Sequence, residues 1–119
     1  MTDLINVHLT KAANAVVDQM EATGCFENKI AAARFAMAYA IKNYFDEIDP
    51  IAYQLPDSEG SNFSLGTVDP DGQIAALFRA LYPGTTTPYL FARAFMVFGL
   101  AKLGERIAQE GLQSISALM

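Results

Sequence analysis

The sequence predicts a mainly α-helical single domain that begins with one short strand. Its 119 residues suffice for one hydrophobic core but not for two. Apolar residues make up 52% of the chain and charged residues 18%, which is a globular composition. Apolar side chains recur at helical spacing in four segments, whereas apolar and polar side chains alternate along residues 4–10.

Two helices are predicted directly after the strand. Thr10 is a good N-cap for the first, whose apolar face comprises Ala13, Val16, Val17 and Met20. Gly24 suits the left-handed conformation that commonly ends a helix. The second helix is predicted from about Glu27 to Phe45, and its many alanines allow a neighbouring helix to approach closely. Its predicted buried face comprises Ile30, Ala33, Met37, Ala40, Ile41 and Tyr44.

The rest of the domain is predicted as an acidic loop, residues 46–72, and a helical extension, residues 73–119. Residues 62–68 are a candidate extended piece within the loop, and the "DPDG" at 69–72 has the residues of a turn. This turn lacks the remaining ligands of a calcium loop, so no metal site is expected. The extension contains a short helix from about Gln73 to Tyr82 and a long helix with Thr87 as N-cap. The long helix is apolar on most sides, which predicts burial by more than one neighbour.

Residues 4–45, in the order strand, helix, glycine turn and longer helix, resemble a ribbon-helix-helix domain. In that fold two chains pair their N-terminal strands, and the resulting ribbon enters the major groove of DNA. A lone strand cannot satisfy its own hydrogen bonds, so we expect an obligate oligomer, either a dimer or a tetramer. The predicted dimer interface consists of Ile5, Val7, Leu9, Met37 and Ile41.

The outward face of the strand is the predicted DNA contact. Asn6 can bind a base edge, and His8 can donate or accept a hydrogen bond. Lys11 and Lys29 are candidate phosphate contacts, the alternative being that they are solvated charges. The net charge of −5 opposes affinity for DNA. Arg34, in the middle of the second helix, is expected to pair with a carboxylate or carbonyl group of a neighbouring segment.

Several short segments resemble the DndE family, small accessory proteins of bacterial DNA phosphorothioation systems. They are "LTKAANAVVDQM", "TGCFEN" with Arg34 and Ala36 behind it, "SLG", "ALYPG" and "FGLAKL", in that order across residues 9–103. The resemblance implies a helical core of ribbon-helix-helix type, oligomeric assembly, and association with duplex or nicked DNA or with a DNA-modifying complex. The chain departs from the family in its acidic charge.

Catalysis is not expected, because the chain has one histidine, one cysteine, no glycine-rich phosphate loop and no metal-ligand spacing. No cofactor is expected either. The lone Cys25 and the lack of a signal peptide or long apolar span predict a soluble cytoplasmic protein. Two hypotheses follow: an oligomeric DNA-associated accessory or regulatory protein, and a non-catalytic protein-interaction or assembly module with the same fold that does not bind DNA.

Overall fold

The computed structural model describes residues 2–118 and is mainly helical, with one two-stranded sheet. Its elements are β1 (Asn6–His8), α1 (Lys11–Glu21), α2 (Lys29–Tyr44), β2 (Asn62–Ser64), α3 (Leu65–Val68), α4 (Gln73–Leu81) and α5 (Pro88–Glu110). Short 3₁₀ turns occupy Phe45–Glu47, Leu112–Ser114 and Ser116–Leu118. The predicted order of strand, helix and helix in the amino half is confirmed.

The two amino-proximal helices begin at side-chain caps. Thr10 Oγ1 accepts a hydrogen bond from the backbone N–H of Ala13 at 3.0 Å, which confirms the predicted N-cap. Asn28 Oδ1 accepts from the backbone N–H of Ala31 at 2.9 Å. The second helix therefore begins at Lys29, two residues later than predicted.

Helix α5 lies at the centre of the molecule, where it packs against α1, α2 and α4. Its closest approach is to α2, where Gly99 faces the backbone of Ala36, as the alanine-rich sequence of α2 predicts. Ten residues of α5 are buried, which confirms burial by more than one neighbour. The carboxyl-terminal turns fold back on the same core, since Ile115 is fully buried.

Strand β1 pairs with β2 of the same chain. The pairing is antiparallel and places Val7 opposite Phe63. The prediction that β1 lacks a partner within its own chain is therefore wrong, and so is the argument that a second chain must satisfy its hydrogen bonds.

Residues 46–72 are not a simple loop: the candidate extended piece at 62–68 divides into β2 and the short helix α3.

Acidic side chains cap three helices, two of them from distant parts of the chain. Asp57 accepts the first backbone N–H of α1 at 2.8 Å. Asp69 accepts two backbone N–H groups in the first turn of α4, at 2.9 and 3.1 Å. Asp3 accepts the backbone N–H groups of Tyr89 and Leu90 at 3.0 and 2.9 Å, so it caps α5 in place of the predicted Thr87 side chain. These carboxylates satisfy helix N–H groups that otherwise lack partners and complement the helix dipoles.

Candidate functional site

Within residues 2–118, only one edge of β1 is paired with a strand. The backbone N–H of Leu9 donates to the Ser61 carbonyl at 2.9 Å, so the backbone of Leu9 faces β2. Because backbone groups alternate in direction along an antiparallel strand, those of Asn6 and His8 point to the opposite edge. Outside the β1–β2 ladder, no hydrogen bond joins either residue to any other residue between 2 and 118. Asn6 and His8 therefore leave their backbone groups on an edge that has no hydrogen-bonding partner among residues 2–118, which we call the β1 edge.

The side chains of β1 divide between two faces. Val7 and Leu9 are fully buried, as the alternation predicts, whereas Asn6 and His8 are half-buried on the other face. Ile5 is 81% exposed in the single chain, so it does not share the core in which Val7 and Leu9 are buried. The physical reason is that the ladder begins only at Asn6, and nothing in β2 extends beyond Ser64 to cover Ile5.

The residues predicted to form a dimer interface do not share one surface. Val7, Leu9 and Met37 are buried within the core of a single chain, so their side chains are not accessible to a second copy. Ile41 is partly buried and packs against that core. Ile5 alone of the five presents a large exposed apolar side chain.

The predicted phosphate contacts differ in their surroundings. Lys11 is exposed at the start of α1. Lys29 forms an ion pair with Asp18 at 3.2 Å, and both side chains remain substantially exposed, so the pair contributes about 0–1 kcal/mol. Arg34 donates to the carbonyl oxygen of Thr67 at 3.4 Å, which confirms its expected contact with a neighbouring segment.

The amino ends of α1 and α2 are occupied by the chain's own side chains. Backbone hydrogen bonds from Glu59 and Lys11 lower the pKa of Asp57, which places a carboxylate at the amino end of α1. Asn28 occupies the corresponding place in α2. A helix amino end binds phosphate through free N–H groups, so these caps compete with phosphate.

Within residues 2–118, no three histidine, cysteine, aspartate or glutamate side chains are grouped to hold a metal ion. Asp69, from the "DPDG" turn, instead caps α4 and accepts a hydrogen bond from the Tyr89 hydroxyl at 2.7 Å. No helix in the same part of the chain has the length and apolar character needed to cross a membrane.

Sequence reasoning missed one charged side chain in the core-forming helix α5. Arg93 lies between buried residues and lines a polar pocket with the segment 53–58. The available signal is a single cation within the otherwise apolar stretch 89–101.

Comparisons with protein-family models, with curated proteins and with solved structures give no match.

Proposed function

We propose that this chain is an oligomeric accessory or regulatory protein of ribbon-helix-helix type, which pairs two copies through the β1 edge and associates with DNA. The observation that carries the proposal is the position of Asn6 and His8. Both leave their backbone groups on an open edge and turn their side chains away from the core. The similarity to DndE proteins favours a DNA-modifying complex as the setting.

Edge pairing keeps the intrachain sheet intact. A two-fold axis at Val7 would set Asn6 opposite His8 of a second copy, because these two residues direct their backbone groups to the same edge. The result would be a four-stranded sheet with β1 of each copy at its centre. The polar side chains of Asn6 and His8 from both copies would then lie together on one face of this sheet, where they would meet base edges in the major groove.

DNA association is tested by fluorescence anisotropy with intact and nicked duplex at about 50 and 200 mM salt. We expect DNA binding that weakens as the salt concentration rises, since Lys11 is an exposed cation close to β1 in the chain. The double variant Asn6→Ala, His8→Ala should lose sequence preference while its sedimentation stays that of the wild type. Failure to bind either duplex at the lower salt concentration would contradict DNA association.

A second candidate is an assembly module that pairs through the same edge without binding DNA. The capped helix ends favour it, because Asp57 and Asn28 occupy the positions where phosphate would contact α1 and α2. The Lys29–Asp18 ion pair also removes a cation from that surface. Stable oligomers that bind no duplex, both in the wild type and in Asp57→Asn, would favour this candidate over the first.

A further inference from the structure

A polar pocket of about 350 Å³ lies between the segment that precedes β2 and the middle of α5. Its lining residues are Tyr53, Gln54, Leu55, Asp57, Ser58 and Arg93. None of the four predicted DNA-contact residues lines this pocket, which we call the Arg93 pocket. It is therefore a separate candidate site.

Among residues 2–118, Arg93 is the only cation that lines the pocket. Its Nε is closed off from solvent and has no hydrogen-bond acceptor within residues 2–118. No carboxylate in the same range approaches its guanidinium within 4.0 Å, whereas Arg106 lies 3.3 Å from Glu110. Burial lowers the pKa of Arg93. A half-buried guanidinium whose Nε lacks an acceptor costs free energy that an anionic ligand would offset.

Asp57 limits which anion the pocket accepts. Its Oδ1 accepts backbone N–H groups of Lys11 at 2.8 Å and Glu59 at 3.0 Å, so hydrogen bonds hold this carboxylate at the helix end. A fixed negative charge in the same pocket opposes a doubly charged anion more strongly than a singly charged one. Ser58 and Gln54 add side chains that can donate hydrogen bonds.

We propose that the Arg93 pocket binds a small carboxylic acid as its carboxylate. The planar guanidinium of Arg93 matches a carboxylate with two parallel hydrogen bonds, a geometry that lysine cannot reproduce. The single charge of the ligand suits a pocket that contains both Arg93 and Asp57. The pocket volume of about 350 Å³ leaves room for a small organic acid.

The test is a titration of the whole chain with sodium acetate, with sodium chloride at equal ionic strength as control. The ¹⁵N resonance of Arg93 Nε–H should shift and saturate with acetate and not with chloride, and inorganic phosphate should bind more weakly. Arg93→Lys, followed through the Ser58 amide, should weaken acetate binding about tenfold or more because the paired hydrogen bonds are lost. Arg79→Lys, an exposed arginine of α4, should bind as the wild type does.

Arg93→Leu separates a ligand site from a structural role. We expect this variant to lose acetate binding and to melt at or above the wild-type temperature, because it removes an unpaired charge. Any one of four results would overturn the proposal. They are equal shifts with chloride, tighter binding of phosphate than of acetate, unchanged acetate binding in Arg93→Lys, and a lowered melting temperature in Arg93→Leu.

Discussion

Gly99 of α5 lies against the backbone carbonyl of Ala36 in α2, at a distance that leaves no room for a Cβ atom on residue 99. This contact joins the two helices that share the most extensive packing in the molecule. It places the α2–α5 pair at the centre of the fold, with β1 and the Arg93 pocket supported on it.

Gly99→Ala should therefore destabilise the protein by about 2 kcal/mol or more, because the added methyl group forces two backbones apart. Urea denaturation measures the change in the free energy of unfolding. Gly66→Ala is the matched control, since a Cβ at residue 66 meets no atom within 4 Å. Equal stability of the two variants would contradict the close α2–α5 contact.

Asp3 is predicted to anchor the amino-terminal segment to α5. Asp3→Ala should cost about 1 kcal/mol, since two backbone N–H groups of the helix lose their acceptor. Thr87→Val is the control, because the Thr87 side chain occupies the N-cap position without making a capping bond. A larger loss in Thr87→Val than in Asp3→Ala, by thermal denaturation, would show that Thr87 is the true cap.

The Asp69 carboxylate should make the free energy of unfolding depend on pH. Burial raises its pKa, but hydrogen bonds from Ile74, Tyr89 and Ala75 outweigh burial and leave the pKa below its ordinary value of 3.8. A lowered folded-state pKa contributes stability that is present above the unfolded pKa and is lost as pH falls through the folded value.

Urea denaturation between about pH 7 and pH 3 measures this contribution. Asp69→Asn should be less stable at neutral pH and should lose less stability on acidification than the wild type. Asp71→Asn, which alters an exposed carboxylate nearby, should keep the wild-type slope. An unchanged slope in Asp69→Asn would show that the buried carboxylate is not the group responsible.

Asp18→Asn should strengthen DNA binding if Lys29 contacts phosphate. The substitution removes the carboxylate that lies 3.2 Å from the Lys29 ammonium, which frees the cation. The gain should be on the order of twofold to fivefold, the size of an exposed ion pair. Anisotropy at two salt concentrations measures it, with Asp46→Asn as a control for net charge. Equal gains in both variants would exclude a specific role for Lys29.

The sequence predicts local features of this fold well and long-range contacts poorly. Thr10, through its side chain, and Pro88, through its fixed φ, mark helix starts that neighbouring residues suffice to interpret. Gly24 has the predicted left-handed conformation, but the C-cap of α1 is Ala22, so the predicted helix end is wrong by two residues. The pairing of β1 with Asn62–Ser64 depends on a contact across more than fifty residues, and no local pattern encodes it. The same holds for Asp3, which caps a helix 86 residues away.

In the candidate site too, the sequence predicts local features and misses features that depend on long-range contacts. The alternation in β1 correctly predicts that Val7 and Leu9 turn away from Asn6 and His8. It does not show that the ladder begins only at Asn6, which leaves Ile5 exposed in the single chain. Arg93 was missed because its lack of a partner depends on which segments fold over α5, and the sequence does not show them.

The most direct test of the proposed function is the sedimentation of Asn6→Pro beside Asn6→Ala. Proline at residue 6 removes an N–H from the β1 edge without removing one that faces β2, whereas alanine keeps the edge and removes only the side chain. We predict that the wild type and Asn6→Ala sediment as oligomers and that Asn6→Pro sediments as a folded monomer with wild-type helix content. A monomeric wild type, or an oligomer that survives Asn6→Pro, would contradict pairing through β1.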